Sequence, residues 1–357
     1  MAILTKLEKL VNEKDNVCVT LSLNTHRTHP DNALDEIVLK NLLKEAEERV
    51  ISEFGKRPVA ALLDRLSSVA QEIDVNYNLD SLHLFLSNDT QEIVKSNWPT
   101  PDNVVHISQG FSLRSLIQIY NQSEEYLVML LSQSGVTLYE ALNGDITGEV
   151  RNDDFPFSEN PHYNTHRSSD SQHLDDLVRE FLNKVDKAVV KVHNETGLKC
   201  VVVCTEDNYS RLMQVADKAT IYHGYANVNY NKMDPHHLVE QTWEIVQELQ
   251  SARRVEAVNE VKEAVGQGLV VTDLQEIFQA ALDGRGDLLV LDHGAAQPVR
   301  MTGDRTFELV DDPTEPDVID DITSRMAWEV LSKKGRVVVT DLDESEGLGR
   351  AVLKARY

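Results

Sequence analysis

Tyr126-Leu-Val-Met-Leu-Leu131, Val136-Thr-Leu-Tyr-Glu-Ala141 and Ile146-Thr-Gly-Glu-Val150 are three strand-like runs, and Asn143-Gly144 joins the last two. Asn-Gly favours the tight turns whose twist matches a hairpin, so the segment reads as the start of a sheet. A polar stretch follows, Arg151 to His173, holding Pro156, Pro161, three histidines and Ser168-Ser-Asp-Ser171. Apolar residues then recur at Leu174, Leu177, Val178, Phe181, Val185, Ala188, Val189 and Val192. This is helical spacing held over about five turns. Gly197 ends the helix, and Leu198-Lys-Cys-Val-Val-Val-Cys204 reads as a buried strand. Hairpin, loop, long helix and buried strand together predict an α/β unit with loop 151–173 exposed and mobile. A loop of that length within a compact unit is either presented to a partner or is a plain surface insertion.

Outward from this stretch the α/β theme continues. Asn16-Val-Cys-Val-Thr-Leu-Ser-Leu23 alternates and is β-branched, a strand. Helical spacing begins at Leu34 and runs to Ile51, and Pro58 opens a second helix, Val59 to Ala70. Leu79–Leu86 and Val104–Ile107 read as strands. Beyond Cys204 the sequence predicts a helix over Asp207–Val215 and a strand over Ala219–His223. A helix opened by Asp234-Pro235 follows, about 30 residues long, which either breaks near Ser251 or bridges two domains. A helix over Leu274–Leu282, a strand over Asp287–Asp292 and an edge strand over Phe307–Val310 come next. A helix over Asp317–Leu331, a strand over Gly335–Thr340 and a final strand or tail over Leu348–Tyr357 close the chain. The expected domains are 1–125, 126–255 with its loop 151–173, and 256–357.

The chain has 357 residues and a formal charge of −24, spread as −7, −7 and −10 over those three spans. A protein gripping nucleic acid over a wide surface carries the opposite sign, so any RNA contact is local and DNA binding is not expected. The candidate patches are His166 and Arg167, with His162 beside them in the long loop, then Arg253-Arg254, and Lys333-Lys334 with Arg336. Each also reads as an ordinary solvated face. No apolar run reaches the length of a membrane helix, and the N-terminus lacks the continuous apolar core of a signal peptide, so a cytoplasmic protein is expected. Three cysteines give no disulfide framework. Cys200 and Cys204 fall on one strand face and read as core. His26 and His29 lack partners at ligand spacing, and Gly284-Arg-Gly286 precedes a strand instead of joining one to a helix. No metal and no cofactor is expected.

Taken in order, three blocks resemble the bacterial relatives of the archaeo-eukaryotic peptide-chain release factors, their third family. They are Val19-Thr-Leu-Ser-Leu-Asn-Thr-His-Arg27 with Ile37–Arg49, Phe111-Ser-Leu-Arg-Ser-Leu116 before the Tyr126 strand, and the closing Ala327–Leu331, Lys334–Val338 and Leu348–Tyr357. The resemblance implies a variable N-terminal α/β domain, a central domain of ribonuclease-H-like topology and a C-terminal α/β/α domain. That last fold is shared with release factors, Pelota and kink-turn RNA-binding proteins. It further implies a partner, the ribosome with its peptidyl-tRNA, and a Gly-Gly-Gln tip on the loop before the long central helix. At that place this chain reads Arg167-Ser-Ser-Asp-Ser-Gln-His173, so Gln172 is the candidate for the water-positioning glutamine and no glycine precedes it. The resemblance therefore carries two expectations: a peptidyl-tRNA hydrolase in termination or rescue, or a non-catalytic ribosome-binding adaptor like Pelota.

Overall fold

The computed structural model describes residues 2–13, 15, 17–132, 135–158, 171–227, 235–313, 315, 317–342 and 347–357. They fall into two compact units, Ser123–Val255 and the pair of stretches Met1–Gln122 and Glu256–Tyr357. Both are α/β, with four sheets among the described residues.

In the two-stretch unit the chain runs α1 (Ala2–Val11), β1 (Cys18–Asn24), α2 (Asn32–Phe54), α3 (Ala60–Ser68), β2 (Ser81–Leu86), β3 (Gln91–Ser96), β4 (Val104–Ser108) and α4 (Arg114–Gln122). The strands form an antiparallel sheet in the order β3-β2-β1-β4, with Leu21 opposite Leu84 and Val105. Successive side chains leave opposite faces of a strand. One face, with Val19, Leu21, Leu23, Leu82, Leu84, Leu86, Val105 and Ile107, therefore buries against Leu39, Leu42, Leu43 and Ala46 of α2 and Leu62 and Leu66 of α3. The other face carries Thr20, Ser22, Ser81, His83 and His106, and these are buried too. His26, for which the sequence offers no partner at ligand spacing, bonds at 2.8 Å to the buried Asp35 of α2.

The central unit is built as the opening stretch predicts. β5 (Glu125–Ser132), β6 (Gly135–Leu142) and β7 (Asp145–Glu149) form an antiparallel meander, turned at Asn143-Gly144 with Asn143 at φ 55. α5 (Ser171–Thr196) crosses to β8 (Cys200–Val203), which runs parallel to β5. α6 (Glu206–Val215), capped by the Thr205 hydroxyl, leads to β9 (Tyr222–Ala226), parallel to β8. The order β7-β6-β5-β8-β9 is the mixed sheet expected of a ribonuclease-H-like domain. The Ala219–His223 strand is corrected: Ala219–Ile221 is a 3-10 turn, tied by the Ile221 amide to the Lys218 carbonyl at 3.0 Å, and β9 starts at Tyr222. α7 (Pro235–Val265) is one unbroken helix of 31 residues. Val239 and Val246 pack on the central sheet, while Ala257 and Val261 pack under Leu288, Val290 and Val352.

The remainder is β10 (Val270–Val271), α8 (Leu274–Leu282), β11 (Gly286–Asp292), β12 (Val299–Gly303), β13 (Thr306–Leu309), β14 (Val318–Ile319), α9 (Ile322–Ser332), β15 (Arg336–Thr340) and β16 (Ala351–Ala355). β10-β16-β11-β15 is a mixed sheet and β13-β12-β14 a small antiparallel one. α8 and α9 bury Ile277, Phe278, Met326 and Ala327 in a core shared with Leu116 of α4 and Leu7 and Leu10 of α1. Among the described residues no helix is long and apolar enough to cross a membrane.

Candidate functional site

The residues on either side of the long loop decide how it can be presented. On the incoming side the expected exposure holds at Arg151, Asn152, Asp153, Pro156 and Ser158 and fails at Phe155 and Phe157. Phe155 is buried, and Phe157 exchanges two backbone hydrogen bonds of 2.9 Å with Val136 of β6. The rings of Phe155 and Phe157 meet edge to face at 5.3 Å, and those of Phe157 and Phe181 of α5 at 5.8 Å. Such pairs contribute about 0.5–1.5 kcal/mol beyond the area they bury. The Asn152 side-chain oxygen accepts from the Asp154 and Phe155 amides, and Lys191 reaches Asp154 at 3.1 Å. Residues 155–157 thus strap the incoming chain to the sheet and to α5. Gly135 makes this approach possible: at φ +133, a Cβ there would lie 1.8 Å from the Phe157 carbonyl oxygen.

The outgoing side is the first turn of α5, which holds Gln172. Residues 159–170, with the candidates His166 and Arg167, lie outside the described residues. α5 is a firm base for what precedes it. Val178, Phe181, Leu182, Val185, Ala188, Val189 and Val192 are buried along one stripe. They share a cluster with Cys200, Val202 and Cys204 of the sheet side. Both thiols are fully buried, and burial pushes that of Cys204 up to about 12. Leu177, counted in the apolar stripe, is instead 37% exposed. Halfway along α5 the buried Asp186 carboxylate accepts from the Tyr222 hydroxyl at 2.7 Å and from the Asp217 amide at 2.9 Å. Burial is the main cause holding the Tyr222 hydroxyl protonated, so it remains a donor to that carboxylate.

Beside the second turn of α5 an open cavity of about 470 Å³ is lined by Asp175, Asp176, Arg179, Asp207 and Arg211. Arg211 bridges Asp175 at 3.1 Å and Asp207 at 2.9 Å. Three carboxylates face two guanidinium groups, so this rim offers an RNA backbone no net positive charge. Its members come from two helices about 30 residues apart, which no local motif could announce.

The other candidates lie on other elements. Arg253 of α7 is exposed and bonds Glu124 at 2.9 Å, and its neighbour Arg254 is half-buried. Lys333 pairs with Glu329 one helical turn back. Lys334 is exposed at φ 63. Arg336 forks onto Glu260 at 2.7 and 3.0 Å, and Lys354 shares Glu260 and Asp287. The Arg336 guanidinium, with Lys354 behind it, holds the Glu260 carboxyl at about 2. Lys333, Lys334 and Arg336 thus form one short basic stretch in which two of the three members already face carboxylates. Among the described residues no three His, Cys, Asp or Glu side chains converge as metal ligands.

Comparison with known proteins bears on the same segment. Residues 125–285 match the model of "Bacterial archaeo-eukaryotic release factor family 3". No curated protein matches the chain. Among solved structures, the archaeal Pelota of a ribosome-bound model with ABCE1 is 13% identical, covering 99% of this chain and 93% of that one at a TM-score of 0.43. Dom34 of S. cerevisiae is 12% identical over 82% and 76% at 0.41, and the archaeal termination factor aRF1 is 14% identical over 100% and 97% at 0.25. Scores this low carry no argument on their own. Over the segment that builds the central sheet and α5, the chain is therefore similar to bacterial archaeo-eukaryotic release factor family 3.

Proposed function

We propose that this protein acts on the ribosome in translation termination or rescue, as a cytoplasmic factor that presents the loop ahead of α5 to peptidyl-tRNA. The observation that carries the reading is the family match over 125–285, the segment that holds this loop and its helix. Supporting it, the strap at Phe155 and Phe157 and the packed stripe of α5 anchor the described residues on either side of 159–170. His166 and Arg167 would meet RNA phosphate or ribose. Gln172 would hold a water beside the ester bond, with the ribosome supplying the electrostatic stabilisation.

A second reading has its own observations. Ser168-Ser-Asp-Ser171 stands where two glycines would be needed, Asp170 brings a negative charge to that stretch of sequence, and the rim of Asp175 and Asp207 beside α5 is acidic as well. A non-glycine residue forced to positive φ costs about 1–2 kcal/mol, and side chains there crowd the ribose. These favour an adaptor that binds and does not hydrolyse. A peptidyl-tRNA release assay on programmed ribosomes separates the two. For a hydrolase, Gln172→Ala lowers the release rate about 10²-fold or more with binding retained. Ribosome binding by the wild type with no release at saturation establishes the adaptor.

A further inference from the structure

The buried polar face of the first sheet is unusual, because a sheet face turned inward normally carries apolar side chains. It floors a cleft with two lobes of about 330 Å³ each. Thr100, Pro101, Ser115 and Gln118 line both lobes, so the two are immediate neighbours. Each lobe is within the ~300–1,000 Å³ of small-molecule sites.

The walls are pinned in place. The connector 98–102 is held by a reciprocal pair, Asn24 Nδ2 to the Thr100 carbonyl at 2.8 Å and the Thr100 amide to Asn24 Oδ1 at 2.9 Å. The far wall near Ala296 is fixed by the Gln297 amide on Asp321 and the Thr323 hydroxyl on the Ala295 carbonyl. A cleft already shaped in the free protein does not lose binding energy to ordering its walls.

Its hydrogen-bond polarity follows from the floor. The Ser81 hydroxyl donates to the Trp98 carbonyl at 2.7 Å, so at its 2.9 Å contact with His83 it accepts, and His83 Nε2 carries the proton. His83 Nδ1 is then the acceptor of the Ser22 hydroxyl at 2.9 Å. Ser22, which lines the more enclosed lobe, therefore has only lone pairs left for a guest. Burial, holding His83 down at about 4, keeps this arrangement neutral. Asp102 and Asp320 line the same lobe with Arg114 and His106. Asp320 accepts from Ser112 and stands 3.7 Å from His106. Trp98 with Pro99 gives the other lobe an apolar wall.

Carboxylates and a serine lone pair accept from hydroxyl groups, while the guanidinium and the Gln118 amide donate back to the same oxygens. Two carboxylates against one guanidinium repel a phosphate. We propose that this cleft binds a small, uncharged molecule carrying a vicinal diol, of monosaccharide or nucleoside size. The sheet-floor polar groups would read the diol, and the Trp98 wall would cover a ring face.

The test uses the full-length protein and ligand-observed NMR with D-ribose, D-glucose, adenosine, 2′,3′-dideoxyadenosine and AMP. At least one of ribose, glucose and adenosine binds, with a Kd between about 10 μM and 1 mM as expected for ligands of this size. Adenosine binding more tightly than either sugar identifies a nucleoside site, and the reverse a sugar site. Removing the diol or adding the phosphate weakens adenosine at least tenfold. Gln118→Leu, on the half-buried face of α4, weakens the best ligand at least tenfold while thermal unfolding is retained. No binding by ribose, glucose or adenosine at about 10 mM overturns the proposal. So does AMP or the dideoxynucleoside binding as tightly as adenosine, or a Gln118→Leu variant that binds like the wild type.

Discussion

Gly135→Ala tests the strap that delivers the chain to the long loop. The new Cβ would lie 1.8 Å from the Phe157 carbonyl oxygen and 2.9 Å from its carbon, so the strap has to move. Both 2.9 Å bonds between Val136 and Phe157 are lost, at about 0.5–1.5 kcal/mol each. Holding a residue with a Cβ at φ +133 adds about 1–2 kcal/mol. Partial release of the Phe157 ring from Phe155 and Phe181 adds a similar amount. Allowing for relaxation, the central unit loses about 3 kcal/mol. Trp243 is the central unit's tryptophan and stacks on Tyr126, so Trp98→Phe with Trp328→Phe makes fluorescence in urea report this unit. A separate signal is needed, because a chain of two units does not unfold as one step. Limited proteolysis should then cut within 151–158, where the parent resists. A loss under about 1 kcal/mol with unchanged proteolysis would show that the strap is not fastened at Phe157.

Phe181→Ala should cost the same unit about 3–5 kcal/mol, read by the same fluorescence, and a loss under about 1 kcal/mol would place the ring outside the core. Asp186→Ala strands the Tyr222 hydroxyl and the Asp217 amide, and should cost about 2–4 kcal/mol, with unchanged midpoints in urea counting against it. Glu260 should make the two-stretch unit acid-labile. Its folded value of about 2 lies below its ordinary 4.5, so its contribution is complete above 4.5 and fades as pH falls toward 2. Up to about 3 kcal/mol is at stake, and Glu260→Gln should flatten the profile over that window. Arg336→Ala should lower stability through the same cluster and leave the salt dependence of ribosome binding unchanged, since its guanidinium already faces Glu260.

The periodic elements were legible because burial on one side imposes a period. The α5 stripe from Val178 to Val192 and the hairpin through Asn143-Gly144 are of this kind. The strap was not legible: Phe155-Pro-Phe157 has no period, and its burial depends on Gly135 some 20 residues earlier. Ala219-Thr-Ile221 looked like a strand from its β-branched pair, yet one buried side chain, Ile221, is satisfied by a 3-10 turn. The polar floor of Ser22, His83 and His106 alternates as any half-exposed strand would. Its cover comes from α4 and from His293, Ala296, Pro298, Pro313 and Asp320, far along the chain, so no local pattern marks burial there. Gln172, expected on the loop, falls instead in the first turn of α5, which begins at Ser171, while residues 159–170 lie outside the described residues.

The central claim is tested most directly by co-sedimentation of the full-length protein with purified ribosomes across a salt series. The account predicts pelleting at low salt that falls steeply as salt rises, with Arg167→Ala weakening binding and reducing the slope by about one. Failure to pellet with ribosomes even at low salt would contradict it.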